Sequence, residues 1–465
     1  MYFTDGNTLF EAASGNTIIN NQGTNAVTDF ITAADSIEFA TGTLFIQDDV
    51  TALTITSNNG TVTVNSIDGD HDEDVTINAG SGALSVGRIG GDNGTDDEGI
   101  NTVQLTSSHA TGITLSGNIT TSDAANNNIT LTGPVVISGT VALDTDPGST
   151  QDGTITFTST IRGDGDAATT DNLDIETGSG TLTFNASTII GGADKPLATL
   201  DVNITGGTGN VVALDIPQIG KTGTTTAGVT GITRIGSTTA TTVTMSDDLY
   251  NFGTGDVTIS AVSTGTGTTF SAADTNVNTG GGAVTINNKL AIGDGTLDIN
   301  TTGGNIEITG AITGAAGNTD GNEALILDDG TGNGTITLGS TVGSGDNIQS
   351  LTIISTGTAV DSVKLGGNIK TSDQAGSISI TGPVTLTADV AIDADAAATT
   401  VTFATTSTVN ATSAGGQGLT IDTGAGNISM GGALGGTTSL KDLTINSTTT
   451  AVSYTHLTLP TIYSV

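Results

Sequence analysis

Leu173-Asp-Ile-Glu-Thr-Gly-Ser-Gly-Thr-Leu-Thr-Phe184 is two short alternating segments joined by a glycine-bearing link. The chain writes the same arrangement at Leu53–Val64 (LTITSNNGTVTV), Val75–Val86 (VTINAGSGALSV), Leu297–Ile308 (LDINTTGGNIEI) and Leu419–Met430 (LTIDTGAGNISM). Ile holds the third place in all five (Ile55, Ile77, Ile175, Ile299, Ile421), and Gly the eighth (Gly60, Gly82, Gly180, Gly304, Gly426). Alternation with period two makes each half a strand with one buried face. The eighth-place Gly is read as supplying backbone angles that a residue with a Cβ resists.

The second apolar pair starts nine residues after the first. Nine is odd, so one unbroken strand would turn that pair outward, and a corner at the Gly returns it to the inside. A lone unit of ~25 residues buries about five aliphatic side chains, too few to offset the entropy of ordering it. Coiling the chain so that each strand pairs with its equivalent above and below removes that deficit. The expected fold is all-β, a right-handed parallel β-helix (β-solenoid). Tandem antiparallel β-sandwich modules are the alternative.

A longer repeat is superimposed. Leu115-Ser-Gly-Asn-Ile-Thr-Thr-Ser-Asp123 returns as Leu365-Gly-Gly-Asn-Ile-Lys-Thr-Ser-Asp373, and Ile129-Thr-Leu-Thr-Gly-Pro-Val135 as Ile378-Ser-Ile-Thr-Gly-Pro-Val384. Residues 100–205 and 348–447 are therefore read as two copies of one large unit within a single elongated solenoid over 1–451. At ~20–25 residues and ~4.8 Å per turn, such a rod would be about 90–110 Å long.

The last fourteen residues, 452–465, contain no Gly, Asn, Asp or Glu, unlike everything before them. They resemble the conceptual translation of a sequencing adapter, so Tyr454 and His456 are not read as a site. The start, Met1-Tyr-Phe-Thr-Asp-Gly, has neither the basic residues nor the apolar stretch of a signal peptide. The chain is accordingly expected to be a fragment that lacks its export and anchoring ends.

Composition narrows the function classes. Lys and Arg number nine against 47 Asp and Glu, a net charge of −38. Phosphate backbones and anionic lipid surfaces repel such a chain, which argues against nucleic-acid and peripheral-membrane partners. No apolar run approaches the ~20 residues of a membrane-spanning helix. The absence of Cys excludes disulfides and thiolate metal sites. Gly is 68 of 465 residues and aromatics are 3%, yet β-branched residues alternate in register, unlike a disordered low-complexity chain.

The stretches Gly180-Thr-Leu-Thr-Phe…Ile190-Gly-Gly-Ala-Asp-Lys-Pro-Leu-Ala-Thr-Leu-Asp-Val202 and Gly426-Asn-Ile-Ser-Met…Leu434-Gly-Gly-Thr-Thr-Ser-Leu-Lys-Asp-Leu-Thr-Ile445 resemble repeats of filamentous-haemagglutinin-like surface adhesins of Gram-negative bacteria. The resemblance is one of pattern and composition and covers most of 50–450. It implies a secreted or surface-anchored, outer-membrane-associated β-helix acting in attachment and biofilms. Its partner would be a receptor or glycan on a host or neighbouring cell. A structural S-layer or matrix protein and a polysaccharide-acting enzyme are the competing readings.

Individual motifs carry little chemistry. An enzyme on acidic polysaccharides needs clustered carboxylates with a cation to hold substrate, whereas Arg88, Arg162 and Arg234 stand apart and His71 and His109 lack an obvious partner. No catalytic, cofactor-binding or metal residue is assigned. Asp68, Asp70, Asp72 and Asp74 alternate as in the first half of a calcium loop, but Glu73 and Ala79 hold the places of its Gly and Glu. This run and 91–99 are read as solvated acidic loops, with weak Ca²⁺ binding as the alternative. Arg162-Gly163-Asp164 spells an integrin-binding tripeptide in an expected loop and is read as chance. Thr-x-Thr runs such as Thr154-Ile-Thr156 suggest an ice-binding face, which loops are expected to break.

Overall fold

A computed structural model describes residues 2–3, 8–9, 17–19, 26–47, 50–91, 99–123, 125–147, 152–166, 170–186, 188–192, 195–204, 212–221, 227–239, 241–263, 266–314, 321–357, 361–372, 374–394, 399–448 and 452–457. The fold is a parallel β-solenoid, with no helix among these residues. By compactness the chain divides into two units, Met1–Thr241 and Thr242–Val465.

In the first unit each turn of the coil lays down strands on three faces. Val50–Thr56, Glu73–Asn78, Ile100–Thr106, Ile129–Thr132, Ile155–Phe157 and Leu182–Phe184 stack as the first face. The second face takes the start of Val62–Gly69, then the start of Leu84–Ile89, then Ile113–Leu115, Val135–Ile137 and Ile161–Gly163. The third runs from Ile67 and Ile89 through Ile119–Thr120, Thr140–Asp144, Asn172–Glu176, Thr199–Val202 and Thr233–Ile235.

Like side chains therefore lie on like. On the first face Leu53, Val75, Val103, Ile129, Ile155 and Leu182 form one inward column. Ile67, Ile89, Ile119, Leu143, Ile175, Val202 and Ile235 form another on the third. All are buried. The core is a stack of small aliphatic layers, which explains how a chain with so few aromatics can fill it. Phe157 and Phe184 extend the logic, stacking at 5.3 Å with an interplanar angle of 12°.

The second unit is built the same way. Val257, Val284, Ile306, Ile336, Val363, Val384, Val409 and Leu434 make one inward column. Leu297, Leu325, Leu351, Ile378, Val401 and Ile428 make a second. The step between stacked residues varies from Val363 over Val384 to Leu200 over Thr233, so turns reach beyond the expected 20–25 residues. Across the long turn from Leu200 to Thr233 the strand pairing resumes in register, Leu200, Asp201 and Val202 facing Thr233, Arg234 and Ile235. Val452–Leu457 pairs with Ile428–Leu434 as a further strand, and 458–465 lie outside the described residues.

The twelve-residue template is a corner. Leu53 and Ile55 lie on the first face, Val62 and Val64 on the second, and both pairs point inward as the odd spacing requires. The turn is closed by the eighth-place N–H donating to the fifth-place carbonyl, as in Gly60 to Ser57, Gly82 to Ala79 and Gly180 to Thr177. Where the fifth residue has a hydroxyl, it donates back to the eighth-place carbonyl. Ser57, Thr177, Thr301 and Thr423 do so at 2.5–3.4 Å. These hydroxyls are wholly buried, and their bonds satisfy them there.

The glycine's role differs from the expectation. The left-handed residue is the sixth, not the eighth: Asn58, Gly80, Gly178, Thr302 and Gly424 have φ of 46, 59, 53, 49 and 51°. The eighth is Gly because the next turn is too close for a side chain. A Cβ on Gly82 would lie 2.0 Å from the Gly60 carbonyl oxygen, and one on Gly304 would lie 2.3 Å from that of Gly282.

Candidate binding surface

The outward columns of the first face are set in register by parallel pairing of successive turns. Thr54, Thr76, Gln104, Thr130, Thr156 and Thr183 lie one above another in unbroken register. Two residues along the strands, Thr56, Asn78, Thr106 and Thr132 form a parallel column. Register shifts on this face, between Ile100 and Val103 and between Ala26 and Val27, fall at the starts of the paired segments. Parallel pairing places outward residues ~4.8 Å apart between turns and about 6.6 Å apart along a strand. Loops were expected to break these ranks; the paired positions from Thr54 to Thr183 are nevertheless aligned.

Stacked β-branched side chains have few rotamers, so these hydroxyls are held in place. Most are half-buried against their neighbours. From Thr54 to Thr183 the first column carries no charge, and Asp29 stacks on Thr54 at its start. Asp74, at the edge, is occupied by the Thr102 hydroxyl at 2.7 Å and the Asn101 amide at 3.4 Å.

The third face has the opposite character. Asp174 and Asp201 are stacked neighbours, and Arg234 above them clamps Asp201 through Nε and Nη2 at 2.8 and 2.5 Å. Beside them Asp144 lies under Glu176. Burial, followed by the nearby Asp201 and Asp144, holds the Asp174 carboxyl above the usual range. At the adjoining corner Asp146 and Asp152 crowd over Gly178, where a Cβ would meet both carboxyl groups. Burial first, then the shared hydrogen bond and charge of Asp152, push Asp146 up to about 7.

The acidic run 68–74 is not an extruded loop. Asp68 and Gly69 end one strand and Glu73 and Asp74 begin the next, so only Asp70-His71-Asp72 turns between them. Asp68 is buried and paired with Arg88 at 2.9 Å, and Arg88 also donates to the Gly90 carbonyl at 2.5 Å. The Glu73 carboxylate turns inward against Gly69, accepting the His71 N–H at 3.2 Å. It is completely buried, and desolvation pushes it up to about 7. Alternation in sequence therefore sends these acids in different directions. Among the described residues no three His, Asp or Glu side chains are placed to hold a metal ion. The run 91–99 lies outside the described residues except for its two ends.

Arg162-Gly163-Asp164 straddles the end of a strand, and only Asp164 lies in the connection that follows. Ile161–Gly163 is a strand whose Gly163 is buried. Asp164 accepts the Ser138 hydroxyl at 2.7 Å and the Asp166 N–H at 2.7 Å, and so faces the coil. His109 staples its own turn, its Nδ1 accepting the Thr111 N–H at 3.1 Å. Arg88, Arg162 and Arg234 are each on a different part of the coil and do not converge. Thr156 of the Thr154-Ile-Thr156 run stands in the first column, so the sequence showed part of this rank, but not which strands would stack to make it.

Comparison with known families, curated proteins and solved structures finds no match.

Proposed function

We propose that this chain is a structural, adhesive stretch of a secreted bacterial surface protein, which displays binding surfaces and performs no chemistry. It acts in attachment or biofilm formation at the cell surface, toward a receptor or glycan of a host or neighbouring cell. One observation supports the reading: the inward columns are aliphatic from turn to turn, while the outward positions carry hydroxyls, amides and acids. Such a coil is a scaffold on which surface columns can change without cost to the core. Basic side chains are drawn into pairs with neighbouring acids, as in Lys370 with Asp393 at 2.8 Å and Lys441 with Asp389 at 3.2 Å. The resemblance of 50–450 to filamentous-haemagglutinin-like repeats points the same way.

The test is adhesion. The purified chain, immobilised on beads, is offered to bacterial and epithelial cells and to a panel of neutral glycans. Saturable capture that soluble chain competes away is expected. Assembly of the chain into a regular lattice with no capture would replace adhesion by an S-layer role.

A further inference from the structure

We infer that the chain cuts itself between Asp146 and Pro147, the Asp146 carboxylate attacking its own backbone carbonyl while Asp152 helps the proline leave. The step goes beyond the display role proposed above: no other molecule is altered, and the one bond broken is the chain's own. Of the six Pro residues only Pro147 follows an Asp. An Asp carboxylate reaches its own carbonyl by closing a small ring, and the amide before proline is tertiary, so its nitrogen leaves as a secondary amine once protonated. The coil brings a second carboxyl to that bond. Thr145 and Gly153 close the connection, the Gly153 N–H donating to the Thr145 carbonyl and the Thr145 hydroxyl to the Gly153 carbonyl, each at 3.2 Å. That closure sets Asp146 opposite Asp152. A Cβ on Gly178, in the next turn, would lie 2.5 Å from the Asp146 carboxyl carbon and 2.8 Å from that of Asp152, so the two converge on one point.

Asp152 is held in place, its Oδ2 accepting the Ser179 N–H at 2.6 Å and the Ser179 hydroxyl. Asp146 shares a hydrogen bond with it, and Asp144 and Glu176 face the same carboxyl with repulsion that keeps a proton on the pair. Two carboxyls sharing one proton supply a nucleophile and an acid together. An Asp146 carboxylate oxygen bonds to the Asp146 carbonyl carbon, the carbon–nitrogen bond breaks, and the shared proton passes to the Pro147 nitrogen. The products are a cyclic anhydride and a free prolyl amine. Water then opens the anhydride, leaving Asp146 with two carboxyls and returning a proton to the pair. Attack within one residue needs no bimolecular encounter. Pro147 is exposed, so water reaches the bond. The cut leaves the coil standing, because Thr140–Asp144 pairs with Asn172–Glu176 and Ile129–Thr132 with Ile155–Phe157, and each pair joins the two pieces.

The experiment incubates the purified full chain at pH 6, both folded and unfolded in urea, and follows its intact mass after denaturation. The folded chain is expected to yield the pieces 1–146 and 147–465. Their rate of appearance should fall between pH 6 and pH 9, since Asp146 is held up to about 7 and the pair loses its shared proton above that. Asp152→Asn keeps an acceptor for the Ser179 N–H but removes the acid, and should slow the cut roughly a hundredfold. Pro147→Ala keeps both acids and should slow it as well, by removing the better leaving group. Circular dichroism of both variants verifies that the coil is intact. A folded chain that stays whole would overturn the inference. So would a cut that is as fast in urea, or as fast in Asp152→Asn, because either result would reduce it to the ordinary acid lability of an Asp–Pro bond.

Discussion

The first and third faces of the Met1–Thr241 unit are identical in construction and opposite in surface. Inward, each is a column of buried aliphatics in parallel register, Leu53 to Leu182 on one and Ile67 to Ile235 on the other. Outward, one shows neutral hydroxyls and the other stacked carboxylates that meet Arg234. Fold and surface are thus separable in a solenoid. The pleat sends alternate residues to opposite sides, so the two demands fall on different positions.

The sharpest way to break that comparison is from the inside. Leu131→Ala under the neutral face and Ile175→Ala under the acidic one should each cost about 2–5 kcal/mol, since both leave a cavity in a stacked column. Urea unfolding that spared one face and not the other would show that the two are not equivalent. Next come the corners that flank the neutral face. Gly82→Ala and Gly180→Ala place a Cβ 2.0 and 1.9 Å from a carbonyl oxygen of the neighbouring turn. Each should cost about 3 kcal/mol, and a loss under ~0.5 kcal/mol in either would remove close approach as the reason for glycine.

A pH series separates the surfaces. Glu73 and Asp146 are both held up to about 7, so folding takes up protons. Their contribution to stability is complete below the ordinary carboxylate range and is lost as pH rises through about 7. Melting temperature should therefore fall from pH 5 to pH 8, assisted by the repulsion of a highly acidic chain. Glu73→Gln should recover about 1 kcal/mol at pH 8, or roughly 2–4 °C, and nothing at pH 4. Thr156→Asn on the neutral face should leave the slope untouched. A wild-type melting temperature flat across this range would contradict the burial of these acids.

The smallest effect concerns the sixth corner place. Thr302 is β-branched yet left-handed, and its hydroxyl donates to the Thr279 carbonyl one turn away at 2.9 Å. Asn58, at the same place, spans the same gap with its amide, bonding the Thr32 carbonyl at 2.8 Å. Thr302→Asn should relieve the strain and keep the bond, raising stability by about 0.5–1 kcal/mol. Thermal denaturation resolves a change of that size, and a lower melting temperature would count against it.

The repeated corner was plain in the chain. Ile175 and Leu182, nine places after Leu173 in the second case, had to face inward together, and only a bend between them allows it. The acids were misjudged because charge in sequence says little about direction: Asp68 and Glu73 both turn inward, one to Arg88 and one against Gly69. The Arg162-Gly163-Asp164 run was misplaced for a related reason, since its glycine looks like a loop but lies in a strand.

Local pattern by itself determined that the chain bends at each template, because alternation and odd spacing act over a dozen residues and require a corner to bury both pairs. It could not determine which strands lie on one another. Leu53–Val64 bends from the first face to the second, whereas Leu173–Phe184 bends from the third to the first. The same words thus occupy different corners, because turns of unequal length shift the phase between sequence and coil. Only the tertiary register, fixed by stacking apolar on apolar, decided that Thr54, Thr76, Thr130, Thr156 and Thr183 would share one column and become a surface.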